Sequence, residues 1–172
     1  MKILAVQSRM GIGDTVIFLP FIKALSKKFN SPISILVKEN SKANQYLHQT
    51  KYIDKILTLE RDNKTNNRHG GFFGIFKLAN DLKKYKFDKI FIFNSSLRFN
   101  LVAKISGIPQ IYQYPLFAKN KQHIIEAPKK FLKENLNLDI NEDPEVQIDN
   151  DSISKAAQKF QMTKILQIFS WA

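Results

Sequence analysis

Short uninterrupted runs of apolar residues recur along this chain, separated by stretches in which apolar positions return every three or four residues. Residues 2–7 (KILAVQ) form the first run, bounded by Ser8 and a glycine-containing loop, the pattern of a strand buried on both faces. Ile17, Phe21, Ile22, Leu25 and Phe29 then fall on one helical stripe that ends at Asn30-Ser31-Pro32. Runs at 33–37 and 54–59 predict a second and a third strand, with a short helix over 44–48 between them. A polar loop over 61–71 leads into a helix over 72–85, where Phe72, Ile75, Phe76, Leu78 and Leu82 recur at helical spacing. Residues 89–94 (KIFIFN) make the clearest strand, followed by a polar turn at Ser95-Ser96 and a helix through Leu97, Leu101, Val102 and Ile105 that Gly107 and Pro109 end. This alternation predicts one α/β domain, a Rossmann-like parallel sheet with helices on both faces and right-handed crossovers.

Beyond Pro109 the pattern weakens into a strand over 110–114, a helix over 124–136 and an acidic surface linker over 139–145 that contains Pro144. A helix over 152–161 and an apolar run over 164–169 follow. That last run reads equally as the first strand of a further unit or as an edge strand of the same sheet. Phe72 and Phe73, beside Gly70-Gly71, are expected in the core, with capping of a cleft as the lesser alternative.

Composition narrows the chemistry. A chain of 172 residues suits one domain with a sizeable core, and its 14 Phe supply bulky material for it. With no cysteine, disulfides and thiolate metal sites are excluded and an intracellular setting is expected. His48, His69 and His123 lack ligand spacing, so neither a metal nor another cofactor is expected. The start resembles no signal peptide and no apolar stretch is long enough to span a bilayer, so the expected location is cytoplasmic. The net charge of +12 comes from 23 Lys and only four Arg (Arg9, Arg61, Arg68, Arg98), whereas forked recognition of bases favours Arg; nucleic acid is not the expected partner. Residues 1–133 hold 24 basic and 8 acidic side chains against 3 and 7 in the remainder, which favours an anionic ligand or an anionic membrane surface.

The loop Ser8-Arg9-Met10-Gly11-Ile12-Gly13-Asp14 lies at the carboxyl end of the first strand, where open α/β sheets place their ligands. Two glycines two apart let the backbone turn tightly near a ligand. A dinucleotide site would need a third Gly or Ala where Val16 stands, although Glu39 occupies the place of a ribose-binding acid. Asp14 opposes that reading, because a carboxylate beside the turn repels a pyrophosphate. Pro20 has no amide proton for the Val16 carbonyl, so the main helix is expected to start near Leu19 or Pro20, leaving Asp14 as a helix N-cap or as a chemical group.

The element Gly13-Asp14-Thr15-Val16-Ile17-Phe18-Leu19-Pro20, with Ser96-Leu97-Arg98 after the fourth strand and Ser106-Gly107-Ile108-Pro109 after its helix, resembles the amino-terminal half of glycosyltransferase family 9, the ADP-heptose:lipopolysaccharide heptosyltransferases. The similarity covers residues 1 to about 112 well and the remainder loosely. It implies the GT-B arrangement of two Rossmann-like domains, an acceptor-binding first half and inverting transfer of a heptose. On that resemblance Asp14 is the catalytic base, and Ser8, Arg9, Gly11, Gly13, Arg61, Lys64 and Arg98 meet an anionic acceptor of lipopolysaccharide type. Arg68 is a further candidate anion contact, and for Arg61, Lys64, Arg68 and Arg98 alike the leading alternative is a solvated surface charge. The division implied is an acceptor domain over 1–150, then a linker helix and the first strand of a missing donor-binding domain over 151–172. A nucleotide-sugar donor would bind only if a second domain or chain were supplied, and the chain alone should transfer sugar poorly. The lipid-linked acceptor implies peripheral contact with the inner membrane, through Lys119, Lys121, Lys129 and Lys130. The alternative is a stand-alone nucleotide- or dinucleotide-binding module, and a third reading is a basic protein that binds RNA or membrane without chemistry.

Overall fold

Five of the apolar runs become strands of one sheet in the computed structural model, which describes residues 1–9, 11–61, 67–115, 124–146 and 150–160. They are β1 (Ile3–Val6), β2 (Ile33–Lys38), β3 (Ile53–Leu59), β4 (Lys89–Ile92) and β5 (Gln110–Gln113), all parallel, in the order β3-β2-β1-β4-β5. The helices are α1 (Ile12–Phe29), α2 (Ala43–Tyr46), α3 (Phe73–Lys83), α4 (Leu97–Ile105), α5 (Glu126–Leu136) and α6 (Asn150–Phe160).

All four residues of β1 are buried because helices cover both faces of the sheet. Ile3 and Ala5 point to one side and join Phe21, Leu25, Phe91 and Phe131 in a core under α1 and α5. Leu4 and Val6 point to the other and meet Leu78, Leu82, Phe99 and Val102 under α3 and α4.

Three expectations are corrected. The main helix begins at Ile12 and continues through Pro20, which lies buried inside it. The missing proline N–H removes one hydrogen bond, while the continuous helix buries Phe18, Leu19, Phe21, Ile22 and Leu25, and burial wins. Phe72 and Phe73 are not core residues: they are 68% and 76% exposed. The buried stripe of α3 is Ile75, Leu78, Ala79 and Leu82; Phe73 and Phe76 lie off it and Phe72 precedes the first turn. The acidic stretch is irregular, as a linker would be, but it is docked along α1. Ile140 is 5% exposed within the core, and Glu142 pairs with Lys23 (3.3 Å) and Lys27. Both readings of the run at 164–169 lie outside the described residues. Among the described residues no helix is long and apolar enough to cross a membrane.

Candidate functional site

The strand order reverses at β1: the chain passes to β2 and β3 on one side, then returns to place β4 on the other. Such a reversal leaves a crevice beyond the carboxyl ends of the two central strands, the usual ligand position in open α/β sheets. Here the crevice lies between the loop after β1 and the turn after β4.

Gln7, 4% exposed, anchors the first loop. Its backbone N–H donates to the Leu36 carbonyl (3.0 Å), its side-chain oxygen accepts from the Arg9 N–H, and its amide nitrogen donates to the Asp14 carbonyl (3.3 Å). Asn94 ties the second turn to the first by donating to Ser8 Oγ (2.6 Å), and its oxygen accepts from the Ser96 N–H (2.6 Å). The Ser96 hydroxyl caps α4 by accepting from the Arg98 N–H. Gln113, the last residue of the edge strand β5, donates to the Asn94 and Ser96 carbonyls (both 2.9 Å) and is itself oriented by Asn100. The crevice thus has a polar floor with fixed hydrogen-bond directions.

Gly11 sits at φ 106°, a conformation side chains disfavour, and turns the chain into α1. It occupies the N-cap position and no side chain caps the helix, which corrects the reading of Asp14 as the cap. Asp14 is the third helical residue, half-buried, with its carboxylate over Gly11: a Cβ there would stand 3.7 Å from Oδ2. The helix macrodipole favours a carboxylate at that place. A Cβ on Gly13 would meet nothing within 4 Å, so that side of the turn is open.

Arg9 is exposed, and its charge reaches the Tyr114 hydroxyl. That hydroxyl is buried at the end of β5 with no hydrogen-bond partner among the described residues; burial pushes its pKa up and Arg9 opposes the shift. Arg98 donates to the carbonyls of Gly71 (2.7 Å) and His69, so its guanidinium clamps the loop before α3. Arg61 lies just past β3, two strands from β1 and therefore about 10 Å to the side. Lys64 lies outside the described residues, as do Lys119 and Lys121. The structure gathers Ser8, Arg9, Gly11, Gly13 and Asp14 at the crevice and leaves Arg61 apart. Gln7, Asn94, Asn100, Gln113 and Tyr114 were missed. The signal for Gln7 and Asn94 was a polar amide following an otherwise apolar run.

A second depression of about 250 Å³ lies between β3 and α3, lined by His69, Arg68, Asp81 and Lys84 among others. Its cations converge on one acid: Asp81 receives Arg68 (2.8 Å), His69 (3.1 Å) and Lys84 (3.4 Å). It braces the loop. Among the described residues no three His, Asp or Glu side chains gather as a metal site requires.

No protein-family model and no curated protein matches the sequence. Solved structures do match in fold. A glycosyl transferase of family 9 from Veillonella parvula superposes with a TM-score of 0.71 at 18% identity over 95% of this chain and 49% of its own. The E. coli ADP-heptose lps heptosyltransferase II gives 0.61 at 16% over 93% and 50%, and E. coli heptosyltransferase WaaC with ADP-2-deoxy-2-fluoro heptose gives 0.56 at 12% over 83% and 50%. The chain spans about half the length of each. At such identities the likeness establishes the fold alone: a Rossmann-like α/β domain of the kind that forms one half of each of those structures.

Proposed function

We propose that this chain is the acceptor-binding, amino-terminal half of an inverting heptosyltransferase-type glycosyltransferase, with the donor-binding half supplied by a longer or partner polypeptide. The observation that carries the reading is Asp14 on the first turn of α1, beside an open glycine turn and at the crevice between β1 and β4. In this reading an acceptor hydroxyl attacks the anomeric carbon of an ADP-linked heptose. The new C–O bond forms on the face opposite the leaving group, ADP departs, and Asp14 takes the hydroxyl proton. Ser8 and Arg9 orient the acceptor, an inner-core lipopolysaccharide sugar whose carboxylates and phosphates suit the basic chain. We place the reaction on the cytoplasmic side of the inner membrane.

The test is ADP release by the chain joined to or mixed with its donor half. Asp14→Asn should lower kcat by about 10²- to 10⁴-fold with the melting temperature retained, the usual range for removing a general base. A variant with full turnover would overturn the assignment of Asp14. The dinucleotide reading is disfavoured because the Asp14 carboxylate occupies the helix end where a pyrophosphate would sit. NAD or ADP at about 100 times Kd would stabilise a true nucleotide module by about 2.7 kcal/mol; no such shift is expected from this chain alone.

A further inference from the structure

The outward surface of α3 and α4 is the least conventional part of the molecule. Phe72, Phe73 and Phe76 are 68%, 76% and 47% exposed, yet their rings contact one another edge to face at 6.0 and 5.7 Å between centroids. On α4, packed beside α3, Leu97, Leu101 and Ile105 recur every four residues and are likewise exposed. An apolar surface of this extent on one face marks an interaction site.

This surface is held in place. Arg98 clamps the carbonyls of His69 and Gly71, immediately before Phe72. His69 is fixed in turn by the Glu60 N–H on Nδ1 and by Asp81 on Nε2. Gly74 lies so close to the loop that a Cβ would stand 2.3 Å from the His69 carbonyl carbon. The phenylalanines are therefore presented by a braced loop and helix.

Charge identifies the occupant. α3 and α4 carry Lys77, Lys83, Arg98 and Lys104 against one acid, Asp81, which Arg68 and Lys84 already neutralise. Lys77, Lys83 and Lys104 stand in no ion pair among the described residues. On α5, across the sheet, Lys129 and Lys130 face Glu126 and Glu134 at 4.0 and 3.8 Å. Exposed aromatic rings on the same helix pair as lysines outside any ion pair among the described residues match the two layers of an anionic bilayer surface, acyl boundary and headgroup. A second copy of the chain would bring like charges together.

We propose that the α3–α4 face docks on an anionic membrane, with Phe72, Phe73 and Phe76 inserted at the acyl boundary and Lys77, Lys83 and Lys104 on the headgroups. The proposal goes beyond sugar transfer and does not require it. The helix starts of α3 and α4 lie at the same sheet edge as the candidate site, so docking brings the crevice to the lipid surface.

The full chain should co-sediment with vesicles of phosphatidylethanolamine and phosphatidylglycerol in equal parts, and hardly with pure phosphatidylcholine. Phe72→Ser/Phe73→Ser/Phe76→Ser should weaken that binding at least about tenfold with the fold retained by circular dichroism, since none of the three belongs to the buried stripe of α3. Lys77→Glu/Lys83→Glu/Lys104→Glu should weaken it as much, and Lys129→Glu/Lys130→Glu should leave it unchanged. Equal binding to neutral vesicles, full binding by either α3–α4 variant, or loss in the α5 variant would overturn the proposal. So would a chain that ignores vesicles but forms a dimer abolished by the serine substitutions, which would make this face a self-interface.

Discussion

Asp81 collects three donors, and the consequence is measurable. Burial works against its charge, but hydrogen bonds from His69, Arg68 and Lys84 outweigh it and hold the carboxyl below its ordinary value near 3.8. A group whose folded pKa is depressed contributes stability above the unfolded value and loses it as pH falls through the folded one. The stability gap between the wild type and Asp81→Asn should therefore be full at neutral pH and shrink as the pH falls below the ordinary carboxylate value near 3.8, as read from urea unfolding across the acid range. A gap constant down to the lowest pH would contradict the latch. The neighbouring His69 shows how little a sequence reveals here: its Nδ1 accepts the Glu60 N–H, so the proton sits on Nε2 and points at Asp81. Nothing about a lone histidine in a polar loop announces that it is buried. Asp14 was legible because it follows two glycines at the end of an apolar run, and Gln113 was not, because its partners lie in the turn after β4 and on α4.

At the scale of elements, periodicity located every strand and α-helix found among the described residues, with each boundary but the start of α1 within a few positions. Boundaries failed where one residue was given too much weight. Pro20 argued for a late helix start, yet one absent hydrogen bond is small beside the apolar surface α1 covers. The packing of α3 on the loop before it makes a sharp prediction. Gly74→Ala drives a Cβ into the His69 backbone and should cost about 2 kcal/mol or more, whereas Gly70→Ala meets only the tip of the exposed Asn67 side chain and should cost far less. Equal losses in thermal unfolding would refute that account. Ser96→Ala, which removes the α4 cap, should cost about 1 kcal/mol in the same measurement.

For the whole molecule, alternation predicted a parallel sheet covered on both faces, but strand order was beyond its reach, since every strand reads as apolar whichever neighbours it takes. The docking of 139–146 along α1 was hidden for a related reason: acids and a proline read as linker, and only the position of Lys23 and Lys27 on α1 turns them into a clasp. Ile140→Ala should cost about 2–4 kcal/mol because it empties a core position, while Glu142→Gln at the surface should cost under about 1 kcal/mol. Comparable losses would mean that charge rather than burial holds the segment. The pairing of β1 with β4 also dictates the order in which the protein can be made. Ser8 and Asn94 lie 86 positions apart, so as a ribosome releases the chain β2 can reach β1 early while the other edge of β1 waits for residues 89–92. The glycine–aspartate turn thus exists long before the crevice does, and a nascent chain acquires the crevice only once residues 89–94 have emerged.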